Sequence, residues 1–238
     1  CSHALLNSGI SKVVIGCKDP SPEASGGAEF LSNNGVEVVF ENNEQCKKII
    51  APFVHRLQTG LPWVICKWAQ TSDGYIETLG IESPWISCKA SRQLVHEERG
   101  RVDAIIVGVG TVVADNPSLT VRNTAARRTP LRVVVDPTLR IPRDSTVLDG
   151  EVSTLIAHGK NVDKTGLLNR PVSFLELPEI GASLDLRPLL EHLVSRYEVT
   201  NVIAEGGKTL FEHIFNQQLA NELWVFTSQR IIGEANLK

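Results

Sequence analysis

Val202-Ile203-Ala204-Glu205-Gly206-Gly207-Lys208-Thr209 is the stretch that decides how this chain folds. A short apolar run ends on two glycines, and Leu210, Phe211, Ile214 and Phe215 then recur at helical spacing, which predicts a helix burying all four. A strand that turns directly into a helix is the repeating unit of an α/β domain. The glycines have two readings: the geometry of the turn, or close approach of a ligand to bare backbone at a helix N-terminus, where the amides favour an anion such as a phosphate. The run Ala104–Val109 leaves its strand in the same way, through Gly108-Val109-Gly110-Thr111 to Asp115-Asn116-Pro117. The plain reading there is a tight turn and a loop. Two glycine-bearing strand exits in one domain point to a nucleotide cleft, because ligands of open α/β sheets bind beyond the strand ends.

Working outward, further strands are predicted at Trp63–Trp68, Leu131–Val135, Ser153–Ala157, Val172–Leu175 and Glu222–Phe226. Between them, Leu186, Leu189, Leu190, Leu193 and Val194 share one face of a helix over Leu186–Tyr197. Nearer the start, Val13-Val14-Ile15 and Val36–Phe40 read as strands, Ala28–Ser32 and Cys46–Gln58 as helices, and Thr59-Gly60-Leu61-Pro62 as a turn. The change of pattern puts a domain boundary within residues 42–60, dividing residues 1–51 from 52–238.

Composition excludes several classes. The 238 residues are 42% hydrophobic and 21% charged, an ordinary globular balance that argues against disorder. No stretch of about 18 apolar residues occurs, and no basic segment leads into an apolar one at the start, so neither a membrane span nor a signal peptide is expected. A net charge of -3 without a basic run gives no footprint for nucleic acid. Five scattered cysteines (Cys1, Cys17, Cys46, Cys66, Cys88) fit reduced thiols better than a disulfide framework, and the last four, beside apolar residues, read as inert. The expectation is a cytoplasmic protein acting on small molecules. The chain contains no methionine and opens on Cys1, which reads as a processed chain or a piece of a longer one.

Among candidate site residues, Lys67 stands inside an apolar strand, where an ammonium needs a partner or an anionic ligand. It leads into Lys67-Trp68-Ala69-Gln70-Thr71-Ser72-Asp73-Gly74, again at a strand end. The following loop carries Glu82-Ser83-Pro84-Trp85-Ile86, where a tryptophan has the alternatives of covering a flat cofactor or packing in the core. Arg99 and Arg122 read equally as solvated surface or as anion ligands. Cys1-Ser2-His3 has too few donors for a metal site. His55, His96, His158, His192 and His213 show no ligand spacing and read as surface or structural.

Taken in order, these segments resemble the bifunctional riboflavin-biosynthesis deaminase–reductase family along essentially the whole chain. The most specific stretch is Gly108-Val109-Gly110-Thr111-Val112-Val113-Ala114-Asp115-Asn116-Pro117-Ser118-Leu119-Thr120-Val121-Arg122, supported by Lys67-x-Ala69-x-Thr71-x-Asp73-Gly74, Glu82-Ser83-Pro84-Trp85-Ile86 and Glu205-Gly206-Gly207. The resemblance implies an α/β fold: residues 52–238 as a dihydrofolate-reductase-like domain with a mixed, largely parallel sheet flanked by helices, and residues 1–51 as the last part of a zinc-dependent, cytidine-deaminase-like domain. It implies NADPH-dependent reduction of 5-amino-6-(5-phosphoribosylamino)uracil to the ribitylamino compound, in a homodimer or higher assembly.

By position, the resemblance assigns Ala69, Trp85, Thr111, Asp115 and the turn Gly206, Gly207, Lys208, Thr209 to the cofactor. Ser83, Arg99, Leu119, Arg122 and Glu205 go to the substrate, with Arg99 and Arg122 suited to its phosphate. Lys67 is the candidate for stabilising charge near the sugar, with Asp115 or Glu205 ordering the reacting groups. Pro137, after Asp136, departs from the family, which often has a serine there near the cofactor. Cys1 matches the second zinc-binding cysteine of the deaminase, whose other ligands and glutamate would lie upstream. The chain as it stands is therefore expected neither to bind catalytic zinc nor to deaminate, and it is also expected to stop before the last reductase strands. The rival readings are another reductase of this fold acting on a pterin-like substrate, and a non-catalytic nucleotide-binding module.

Overall fold

Runs such as Ala104-Ile105-Ile106-Val107 and Leu131-Arg132-Val133-Val134-Val135 are nearly continuous in apolar, β-branched residues, the pattern of strands buried on both faces of a parallel sheet. The computed structural model describes residues 1–21, 25–76, 86–122, 124, 128–181, 183–231 and 233. They divide into two compact units, Cys1–Leu61 and Pro62–Lys238.

The first unit contains α1 (Ser2–Asn7), β1 (Lys12–Ile15), α2 (Gly27–Asn33), β2 (Glu37–Phe40) and α3 (Glu44–Thr59). β1 and β2 pair in parallel, Lys12 against Glu37, and those two side chains form an ion pair at 2.8 Å. Asn43 caps α3 by accepting the amides of Gln45 and Cys46, and Gly60, at φ 72°, ends it.

The second unit is built on β3 (Trp63–Gln70), β4 (Ala104–Gly108), β5 (Leu131–Val135), β6 (Thr154–His158), β7 (Val172–Glu176), β10 (Asn201–Glu205) and β11 (Glu222–Thr227). These make one sheet in the order β11-β3-β10-β4-β5-β6-β7, with every neighbouring pair parallel. A small antiparallel hairpin, β8 (Glu179–Ile180) with β9 (Ser183–Leu184), follows β7 and was not legible as strands. The helices are α4 (Lys89–Arg99), α5 (Val109–Asp115), α6 (Arg187–Tyr197) and α7 (Lys208–Asn216). Ile65, Ile105, Val107, Val134, Ile156 and Ile203 from the strands join Val109, Val112 and Leu119 in the core beneath the sheet.

Two sequence expectations need correction. Val109 does not end β4 but opens α5, and the stretch read as a turn is a helix because Val109 and Val112, three residues apart, are both buried. Phe215 is 40% exposed: Leu210, Phe211 and Ile214 fill the face of α7 that meets the sheet, leaving Phe215 to stack on Phe211 at its edge.

Candidate active site

Because the sheet is parallel, its strands all end on one edge, and the charged residues noted in the sequence are brought there. β10 lies between β3 and β4, with Glu205 directly opposite Lys67. Paired residues of adjacent strands point to the same face, so the two side chains meet, with Lys67 Nζ 3.4 Å from Glu205 Oε2. Arg99, the last residue of α4, closes the cluster: its Nε donates to Glu205 Oε1 at 2.6 Å and its Nη2 to Oε2 at 2.9 Å. This two-pronged geometry is the strongest form of the arginine–carboxylate pair. The third nitrogen, Nη1, donates to the carbonyl of Thr120 at 3.4 Å.

Glu205 is buried, and burial alone would push its carboxyl pKa up. The opposing charge and hydrogen bonds of Arg99, helped by Lys67, outweigh that and hold it down at about 2. Burial likewise acts to lower the Arg99 pKa, and Glu205 more than reverses it. Glu205 is thus a fixed carboxylate, able to accept hydrogen bonds but with no proton to give near neutral pH.

The two glycine exits lie side by side. A Cβ added at Gly206 would sit 3.7 Å from the Gly108 nitrogen and 3.2 Å from Leu210 Cδ2, so Gly206 is close-packed against the neighbouring turn. Gly207 differs. It caps α7 at φ -83°, a conformation open to any residue, and an added Cβ would meet nothing within 4 Å. The fold itself does not require glycine there. Bare backbone facing open space at the start of a nine-residue helix is a cradle for an anionic group, with Lys208 and Thr209 exposed beside it.

The chain after α5 forms another wall. Leu119 is 2% exposed and joins the core, yet stands at φ 51°, a left-handed conformation strained for a branched side chain. Its neighbours are held from both sides: Arg132 Nη1 reaches the Ser118 carbonyl at 3.4 Å, and Arg99 holds that of Thr120. Arg132 is fully buried in β5 and also donates to Thr154 Oγ1, Asp149 Oδ1 and the Val152 carbonyl. Leu119 is thus anchored in the core by its side chain, and the strained segment carries the exposed Arg122.

Ala69 lies two residues beyond Lys67 on the same face of β3, and Thr111 is half-buried in the first turn of α5. Asp115 is exposed at the other end of α5 and, among the described contacts, makes none with Lys67, Arg99 or Glu205. Ser83 and Trp85 lie outside the described residues. Asp136 is buried and accepts the amides of Arg140 and Ile141, fixing the turn at Pro137. Cys1 is exposed, and among the described residues no three His, Cys, Asp or Glu side chains gather as a metal would need. Cys88 differs in setting from the buried cysteine of β3. It is exposed, caps α4, and hydrogen bonds from the Ser91 hydroxyl and amide draw its pKa below the ordinary thiol value. Cys66, in contrast, is buried and pushed up to about 12.

His96 was read from the sequence as surface or structural. One turn before Arg99 on α4, it has its Nδ1 buried without a hydrogen-bond partner among the described residues.

Comparison with known proteins bears on this geometry. A family profile described as "RibD C-terminal domain" matches residues 62–238. The riboflavin biosynthesis protein RibD of Aquifex aeolicus is 34% identical over 238 residues, covering 98% of this chain and 65% of that protein. The namesake from Actinobacillus pleuropneumoniae is 35% identical, covering 100% of this chain and 64% of that protein. The chain thus spans just under two thirds of the length of these relatives. Among solved structures, Acinetobacter baumannii RibD superposes with a TM-score of 0.81 at 29% identity, covering 99% of this chain and 65% of that one. The Thermotoga maritima protein described as a diaminohydroxyphosphoribosylaminopyrimidine deaminase/5-amino-6-(5-phosphoribosylamino)uracil reductase gives 0.79 at 29% identity, covering 98% of this chain and 64% of that one.

Proposed function

Since the chain belongs to the RibD C-terminal domain family, we propose that residues 62–238 reduce the ribosylamino side chain of 5-amino-6-(5-phosphoribosylamino)uracil with NADPH. The observation that carries this reading is the Lys67–Glu205–Arg99 cluster immediately before the Gly206-Gly207 exit. It sets polar groups for a sugar beside bare backbone suited to a pyrophosphate.

The open cradle at Gly207 fits the phosphates of a dinucleotide. When bound, NADPH supplies a hydride equivalent to the sugar C1 of the ring-opened substrate. The chain's own residues do the rest. The amides at the start of α7, with Lys208 and Thr209, hold the pyrophosphate. Glu205, kept ionised, accepts hydrogen bonds from sugar hydroxyls and orients them. Lys67, paired with Glu205, stabilises negative charge developing on the sugar. Arg99 is committed to Glu205 through two of its nitrogens, so its main part is to aim that carboxylate. Arg122, exposed and in none of the described ion pairs, is the better placed guanidinium for the substrate phosphate.

The cytoplasm as compartment and a homodimer or higher assembly belong to the same proposal, and no described helix is long and apolar enough to cross a membrane. Residues 1–51 are proposed as the end of a zinc-dependent deaminase domain; the described residues do not themselves fit a zinc site, and no step is derived through one.

The direct test is NADPH oxidation, followed at the nicotinamide band, with the phosphoribosylaminouracil substrate. Oxidation only with a pterin would favour the related reductase, and NADPH binding without oxidation would favour a binding module. A second measurement tests the cradle. Gly207→Val is expected to raise the KM for NADPH by roughly 10-fold to 100-fold, because a side chain there displaces the pyrophosphate. The melting temperature should fall by no more than about 4 °C, the cost of a poorer helix cap. A large stability loss with unchanged KM would make Gly207 a residue of the fold only.

A further inference from the structure

β11 carries two aromatic rings that have no task in the reading above. Its register against β3 sets Trp224 directly opposite Lys67 and Phe226 directly opposite Ala69. Residues paired across neighbouring strands share a face, so both rings stand on the face that bears Lys67 and Glu205. Leu223 and Val225 turn to the opposite face. The two rings meet edge to face, 6.4 Å between centroids. Glu222 accepts the indole N–H of Trp224 at 2.7 Å, which holds that ring in place beside Phe226. Trp224 also packs against the apolar core, while Phe226 stands one step nearer the strand end. Phe226 and Ala69 are both only half-buried. Since Ala69 contributes no more than a methyl group, the end of β3 forms a shallow step with one aromatic side.

We propose that this step holds the pyrimidine ring of the substrate, stacked on Phe226 with Trp224 as its buttress. The inference rests on the reading of the site as a reductase of a phosphoribosylaminopyrimidine. Its physical logic is one of order along the sheet edge. Arg122, proposed for the phosphate, comes two residues after Thr120, whose carbonyl Arg99 holds at 3.4 Å. Arg99 is bonded to Glu205, Glu205 is paired with Lys67, and Trp224 lies across one more strand from Lys67. Phosphate, sugar and base are joined in that same order, so the base follows the sugar onto β11. Adjacent strands lie about 4.8 Å apart, which puts β11 roughly 10 Å from β10, within the span of a sugar and the ring attached to it. The cofactor phosphates are proposed at Gly207, on the exit of β10, so the β11 side of Lys67 is left to the second reactant. A pyrimidine is flat and polar at its rim, and an aromatic side chain engages its face whatever hydrogen bonds the rim makes.

The experiment measures dissociation constants by calorimetry, without turnover, for wild type, Phe226→Leu and Phe226→Tyr, with a thermal melt of each. The probes are the phosphoribosylaminouracil substrate, ribose 5-phosphate, which lacks the base, and NADPH. Phe226→Leu is expected to weaken the substrate about 10-fold while ribose 5-phosphate and NADPH stay within about 2-fold of wild type. Phe226→Tyr, which keeps a ring, should hold the substrate within about 3-fold of wild type. An unchanged substrate constant in Phe226→Leu overturns the proposal and leaves Phe226 as cover for the sheet. Equal losses of substrate and ribose 5-phosphate also overturn it, because the ring would then only keep Lys67 and Glu205 in place. A loss confined to NADPH overturns it by giving the step to the nicotinamide, and so does a wild type that binds ribose 5-phosphate as tightly as the whole substrate. Should Phe226→Leu not fold, Phe226→Met provides the same comparison. Wild type that fails to oxidise NADPH is the distinct result that removes the functional reading itself.

Discussion

Replacing Glu205 with Ala is expected to lower stability by about 3–5 kcal/mol and to abolish NADPH oxidation. The size follows from what would be left behind. Arg99 has a side chain only 12% exposed, and it would lose the partner of two of its three nitrogens. Lys67, 19% exposed, would lose its anion as well. Two half-desolvated cations then face each other without a counter-charge, the circumstance in which breaking an ion pair costs most. Glu205→Gln separates charge from shape: the amide keeps the volume and one acceptor, so it should recover part of the stability and little of the turnover. Urea unfolding and the oxidation assay read the two effects independently. The same carboxylate makes a prediction about acid. Its pKa falls from an ordinary 4.5 to about 2 in the folded chain. A depressed folded-state value contributes stability that is complete above about pH 4.5 and is lost as the pH falls towards 2. Wild type should lose stability through that window, and Glu205→Gln should show a shallower slope there. Equal slopes would mean that the carboxylate is not held by its partners.

Arg132→Leu is expected to cost a similar amount, about 3–5 kcal/mol, lowering the melting temperature by roughly 10 °C, although it touches no proposed ligand. Apolar replacement of a buried charge is often tolerated when its partners are replaced too. Here they remain: the carbonyls of Ser118 and Val152 and the Thr154 hydroxyl would be left facing a hydrocarbon. Asp149, at 27% side-chain exposure, can turn to water and softens the loss. The change should also reach function. Arg132 fixes one side of the strained Leu119 turn, and relaxing that turn moves Arg122, so the KM for the phosphorylated substrate should rise while the KM for NADPH holds. Arg132→Lys, with one ammonium where a guanidinium served four acceptors, should fall between. A melt unchanged from wild type would refute the structural role.

What could be read from the chain, and what could not, follows the range of each signal. The seven strands of the sheet announced themselves because continuous β-branched runs are local, and most limits agreed with the structure to within a residue or two. Lys67 was flagged because an ammonium in an apolar strand is anomalous. Arg132 in Leu131-Arg132-Val133 carries the same anomaly and was passed over, since nothing nearby suggested a site. The partner of Lys67 was not legible, because Glu205 is 138 residues away and meets it only through the insertion of β10. Arg99 was legible as a cation but not as the clamp on Glu205, since reach and orientation are tertiary facts. α5 was hidden by its valines, which favour a strand until burial of one helical face outweighs that preference. The sequence-level suspicion of glycine at a strand end was sound in kind, but only the space around each residue separates Gly206, packed against a neighbour, from Gly207, open to solvent.

The insertion of β10 between β3 and β4 also sets a timetable. During synthesis, β3 and β4 leave the ribosome long before the strand that must lie between them; 92 residues lie between the end of β4 at Gly108 and Asn201. At about 5–20 residues per second that is a wait of roughly 5–20 s. For that interval two apolar strands have no partner on the sides that will meet β10, and such edges are templates for pairing with other chains. A slow ribosome or a hot cell would therefore harm this protein most before residue 205 is made, and a chaperone that shields strand edges would matter more to its yield than to its final stability.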